Sequence, residues 1–190
     1  MNDQRARLFV ALELPDQVRG TLAQWRTELP DFAGARGRSP LRPVAAEALH
    51  VTLCFLGWQD AEAIDAVAAA CSPVGALGAA ELVLGEALWL PPRRPRVLAV
   101  SLDDPSGRVG EVQSLLSQEL ERGGWYQPES RPFLAHVTVA RVAKGGRVSR
   151  EPLAAPGQLR FSASTVTLFR SRLSAAGARY EALARFELSG

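Results

Sequence analysis

The chain has 190 residues, 47% of them apolar and 22% charged, with a formal net charge of +2 at pH 7. That length supports one sizeable core in one compact unit, and the composition is ordinary for a soluble globular protein. The near-neutral charge argues against a general polyanion-coating protein, and no run approaches the roughly 18 uninterrupted apolar residues that a membrane span needs.

From the N-terminus, residues 7–14 (Arg-Leu-Phe-Val-Ala-Leu-Glu-Leu) read as a strand. Pro15-Asp16 ends it and starts a helix whose apolar residues Val18, Leu22, Trp25 and Leu29 fall on one face. Residues 30–43, rich in Gly, Pro and Arg, read as an exposed, mobile loop. Arg36, Arg38 and Arg42 in it are candidates to guide an RNA backbone, weighed against a plain solvated loop. A strand opening at His50 follows and ends at Gly57. Asp60 is placed to cap the next helix, where Ile64, Val67, Ala68 and Cys71 form an apolar stripe.

The order then repeats. Residues 81–90 are strand-like, with Gly85 a candidate bulge or turn. Residues 91–96 (Pro-Pro-Arg-Arg-Pro-Arg) form a stiff basic connector, and 97–102 a strand. Pro105-Ser106 opens a helix with Val109, Val112, Leu116 and Leu120 on one face, and a polar loop leads to a strand opening at His136. Residues 161–169 and 180–188 alternate as two further strands, expected to form an antiparallel hairpin that crosses between the halves. The pattern implies an α+β chain: one domain over 1–190, with repeat units of approximately 7–71 and 81–142, a closing hairpin of approximately 159–188, and two pseudo-symmetric lobes.

The chain has two histidines, and each opens the same His-Val-Thr-apolar tetrapeptide, at 50–53 and 136–139. Thr occupies only six positions in the chain, which makes this duplication hard to ascribe to accident. On a strand, residues two apart share a face, so His50 lies beside Thr52 and His136 beside Thr138. An imidazole titrating near neutrality and a neutral hydroxyl donor are the groups that in-line displacement at phosphorus uses. One imidazole accepts the nucleophile's proton, the other gives one to the leaving oxygen, and the hydroxyls hold non-bridging oxygens. The alternative is a pair of satisfied structural histidines. Cys54 and Cys71 have no metal-binding or CxxC spacing and no secretory leader precedes them, so both read as free thiols in a reducing cytosol. Two histidines without a carboxylate cluster do not make a catalytic zinc site.

These words, with Arg7-Leu8-Phe9-Val10-Ala11-Leu12, Phe55-Leu56-Gly57, Arg131-Pro132-Phe133, Arg141, Ser171, Gly177 and Tyr180, resemble the two-histidine (2H) phosphoesterases. Within them the chain is similar to the RNA 2′,3′-cyclic phosphodiesterases, formerly called 2′-5′ RNA ligases. The resemblance implies a bilobal fold with two antiparallel sheets around a central cleft and helices outside. It implies metal-independent opening of an RNA 2′,3′-cyclic phosphate to a 2′-phosphate, without cofactor. His136 would be the proton acceptor that activates water, His50 the proton donor to the 3′-oxygen, and Thr52 and Thr138 phosphoryl ligands. Arg141 would lie near the terminal base or phosphate, and Phe9 would offer its ring to the base. The expected partner is RNA with a cyclic-phosphate end, and the protein is expected to be a cytoplasmic monomer with no membrane contact or obligate protein partner. The alternatives are 2′-5′ ligation by the reverse reaction and a non-catalytic RNA-end-binding module. Three positions depart from the family pattern. Ala48 and Ala135 remove an Asn and a Pro from the strand entries. Cys54 shares strand parity with His50 and Thr52, which points it at the cleft, where its oxidation would impair turnover.

Overall fold

Strand β1 (Arg5–Glu13) is apolar on both faces from Leu8 to Leu12, and a strand covered on both sides belongs inside a sheet. In this computed structural model, which describes residues 4–29, 39–148, 151–174 and 177–189, β1 pairs antiparallel with β3 (His50–Asp60) on one side and with β8 (Thr165–Ser174) on the other. The remaining strands are β2 (Leu41–Pro43), β4 (Ala80–Leu90), β5 (Val97–Asp103), β6 (His136–Val142), β7 (Arg160–Ala163) and β9 (Gly177–Glu187). They form one antiparallel sheet in the order β7-β4-β5-β6-β3-β1-β8-β9, with β2 paired to β6. Among the described residues the α-helices are α1 (Asp16–Thr27), α2 (Ile64–Cys71) and α3 (Arg108–Arg122).

The order is symmetric about β6 and β3. Each of these histidine strands pairs with the strand that precedes the long helix of its half, β5 or β1, and β4 and β8 come next. The two expected sheets are thus halves of one hydrogen-bonded sheet, joined at the single register pair Val51–Val137. The C-terminal segment does pass from one half to the other. β7 pairs with β4 and β8 with β1, and only Ser164 separates them, so the sheet curls to bring its ends together.

Val18, Leu22 and Trp25 of α1 and Val109, Val112, Leu116 and Leu120 of α3 are buried as their spacing predicts. With Val67 and Cys71 of α2 they pack into one core with Leu8, Val10, Leu12, Val51, Val137 and Val139. No described helix is long and apolar enough to cross a membrane.

Several expectations are corrected. Leu41–Pro43 is strand rather than loop, in register with Val142–Ala140; Arg36 and Arg38 lie outside the described residues. Asp60 does not cap α2: it precedes a 3-10 turn, makes no capping hydrogen bond, and lies 3.9 Å from Arg5. The cap the sequence reading missed is Asp104, whose carboxylate accepts the N–H groups of Arg108, Val109 and Gly110 at the start of α3. Gly85 does mark a bulge, since the β4–β5 register shifts between Leu84 and Ala87. A Cβ there would lie 2.5 Å from Ser101 Oγ, so only glycine lets β5 approach this closely.

Candidate active site

Val51 and Val137 are buried against the helices, so the residues flanking them on β3 and β6 project from the opposite face of the sheet. The antiparallel register sets His50 across from Thr138 and His136 across from Thr52. All four line one cleft with Arg141, Tyr180, Val44 and Ala48. The two tetrapeptides predicted from the sequence to act together therefore meet, arranged crosswise.

The imidazoles are oriented by the same local device. Nδ1 of His50 lies 2.8 Å from the carbonyl of Ala48, and Nδ1 of His136 lies 2.8 Å from the carbonyl of Leu134. A carbonyl only accepts, so Nδ1 carries the hydrogen in both rings and Nε2 is left for chemistry. His50 Nε2 is 3.1 Å from Thr52 Oγ1, close enough for the hydroxyl to donate to it while the ring is neutral. The support that Ala48 supplies is backbone, so the side chain lost there takes no part in it. At the other entry, the Ala135 carbonyl accepts from Leu102 N–H at 2.9 Å, which pins the strand without a proline.

The surroundings of the two rings differ. His50 sits among aromatic rings, 5.0 Å from Phe9, 5.3 Å from Tyr180 and 6.4 Å from Phe169 between centroids. Burial pushes its pKa down to about 4; the Ala48 carbonyl opposes this, and the charges of Arg141 and His136 add to it. Free His50 is thus neutral across the physiological range.

Arg141 is exposed, lines the cleft and is close enough to His50 to act on its charge. It pairs in register with Arg42, which places that arginine on the neighbouring strand. Phe9 reaches the site differently from expectation. It is 4% exposed, stacked on Phe169 at 5.2 Å and edge-on to Tyr180 at 4.9 Å, so its ring supports His50 and offers no free face to a base. Cys54 does not face the cleft. The β1–β3 register passes from Val10–Cys54 to Ala11–Thr52, leaving Leu53 as an extra residue that reverses the parity. Cys54 is 1% exposed, on the core face with Val10, and burial pushes its thiol up to about 12. A buried thiol with so little thiolate is a poor target for oxidation.

A family model described as the 2′-5′ RNA ligase superfamily matches residues 14–174. The chain belongs to this superfamily. Two superfamily relatives, each named RNA 2′,3′-cyclic phosphodiesterase, cover nearly the whole chain. The Escherichia coli protein is 31% identical over 185 residues, 96% of this chain and 97% of its own length. The Thermus thermophilus protein is 30% identical over 193 residues, 97% and 91% respectively. Among solved structures, E. coli LigT complexed with 3′-AMP matches with a TM-score of 0.81 at 29% identity, covering 98% of this chain and 100% of that one.

One cleft residue of this superfamily member, and one residue that braces a cleft strand from outside the cleft, escaped assignment from sequence. Tyr180 lines the cleft from β9; it stood among the resemblance words, but nothing local indicated that the C-terminal strand reaches His50. Arg26 is buried at the end of α1, where its guanidinium donates to the carbonyls of Val44 and Val139 and ties the helix to the strand carrying Thr138. Its place on the buried side of an amphipathic helix was the available signal.

Proposed function

We propose that the protein hydrolyses RNA 2′,3′-cyclic phosphate ends to 2′-phosphates by paired-histidine acid–base catalysis. The observation that carries this reading is the crosswise meeting of the two His-x-Thr pairs, with each Nδ1 held by a carbonyl. Two similarly oriented imidazoles across one cleft suit in-line displacement, which needs a proton removed on one side of phosphorus and delivered on the other. The names of the relatives support the substrate class.

His136 Nε2 takes a proton from water as its oxygen bonds to phosphorus. The P–O3′ bond breaks, His50 Nε2 gives its proton to O3′, and the phosphate stays on O2′. Thr52 and Thr138 donate to non-bridging oxygens and Arg141 offsets their charge. A donor must hold a proton, and free His50 binds one weakly. The anionic substrate raises its proton affinity by offsetting the repulsion from Arg141 and His136. That same weak affinity favours a second reading with the roles exchanged, His50 as base and His136 as acid.

The test is an RNA oligonucleotide ending in a 2′,3′-cyclic phosphate, incubated with the protein in excess EDTA, with the product phosphate located by NMR. Turnover to a 2′-phosphate is expected, falling at least about 10²-fold in His50→Ala and in His136→Ala. A folded protein that binds the RNA and leaves the ring intact would make it an end-binding module. Joining of a supplied 5′-hydroxyl RNA in preference to hydrolysis would make it a ligase.

A further inference from the structure

The cleft face of β1 and β3 continues past the catalytic pair. The register leaves Leu53 and then Leu56 as extra residues on β3, and Gly57 at φ +70° accommodates the second irregularity. The result brings Phe55 opposite Phe9 and Trp58 opposite Arg7, on the face that carries His50 and Thr52. Phe9 on this face is buried, whereas Phe55 is 48% and Trp58 56% exposed. The Arg7 guanidinium lies 4.6 Å from the Phe55 ring centroid and donates to Ser171 Oγ at 3.1 Å. Arg5 donates to the Trp58 carbonyl at 2.8 Å, with Asp60 3.9 Å away. Arg7 makes no ion pair with a described carboxylate.

Exposed aromatic rings on one strand beside arginines on its neighbour form a stacking platform for single-stranded nucleic acid, because every base has a π face and the cations meet the phosphates. The other way out of the site, past Tyr180, is less suited to a polyanion. That groove is lined by Glu13 and Glu47, and its cations are already paired, Arg185 with Glu13 and Arg19 with Asp16.

We propose that Phe55 and Trp58, with Arg7 and Arg5, form a track for the nucleotides on the 5′ side of the RNA end held by the histidines. Successive bases stack on Phe55 and then Trp58 as the strand leaves the cleft. The proposal rests on the phosphodiesterase reading and gives that site a preference for oligonucleotides over mononucleotides.

The test compares kcat/KM for a nucleoside 2′,3′-cyclic phosphate and for a tetranucleotide with the same end, in wild type, Phe55→Ser and Trp58→Ser. Both positions are exposed, and unchanged thermal midpoints verify folding. Wild type is expected to favour the tetranucleotide at least about tenfold, and each substitution to lower that ratio about tenfold, the scale of one lost base–aromatic contact. A wild type without length preference, or variants that keep its ratio, would overturn the track while leaving the phosphodiesterase reading intact. If wild type cleaves neither substrate, that reading fails, and the track is judged by fluorescence anisotropy of a labelled tetranucleotide bearing a 3′-phosphate. Tenfold weaker binding by the variants would support it and equal binding would overturn it. A wild-type dimer dispersed by Trp58→Ser, with the length ratio unchanged, would make the patch a self-association surface and overturn the proposal.

Discussion

His50 and His136 share a hydrogen-bonding device but not an environment. Each Nδ1 is held by a carbonyl two residues upstream, while only His50 is enclosed by the rings of Phe9, Phe169 and Tyr180. The enclosure has a consequence for stability. The folded-state pKa of about 4 lies below the ordinary 6.5, so the unfolded chain binds the extra proton more readily. The contribution from neutral His50 is complete above pH 6.5 and is lost as pH falls towards 4. Over that interval it amounts to about 3 kcal/mol. Urea unfolding of wild type is expected to show that loss, and His50→Asn to show a flatter profile. NMR titration of His50 near 6.5 in the free protein would contradict the depressed value. The pairing of each histidine with a threonine was legible because it is local: two strand residues at a spacing of two. The asymmetry was not, because Phe169 and Tyr180 arrive from the other end of the chain through the β1–β8–β9 pairings.

At the scale of elements, periodicity located α1 and α3, whose buried residues are those spaced for one face. Caps and bulges were harder to read. Asp104 accepts three N–H groups at the start of α3, whereas Asp60, in a similar position before α2, caps nothing because a 3-10 turn intervenes. Asp104→Ala is therefore expected to lower stability by about 1 kcal/mol, and Asp60→Ala by no more than about 0.5 kcal/mol. Chemical denaturation of the two variants checks this, and equal losses would contradict the assignment. Gly85 signalled its bulge because glycine was the sign. The extra residue Leu53 gave no sign, and parity counted through it sends Cys54 to the wrong face and hides Phe55. A strand's register depends on its partner, and the partner is remote in sequence.

For the whole molecule, the sequence duplication predicted two pseudo-symmetric lobes with the histidine strands meeting between them, and the structure sets β6 beside β3 in the middle of one sheet. Whether the halves were separate sheets or one depended on the single pair Val51–Val137, which no composition or spacing encodes. The curl that carries the chain from β7 to β8 across Ser164 was equally invisible. The functional consequence we propose for that architecture is a proton acceptor on one strand and a proton donor on the other. The measurement that tests it most directly is kcat/KM on a cyclic phosphate whose 3′ bridging oxygen is replaced by sulfur, because a thiolate leaves without being protonated. His50→Ala is expected to lose at least about 10²-fold on the oxygen substrate and to recover most of that on sulfur, while His136→Ala stays impaired on both. Rescue of His136→Ala instead would exchange the two roles. Equal loss by both variants on both substrates would contradict acid–base catalysis by this pair.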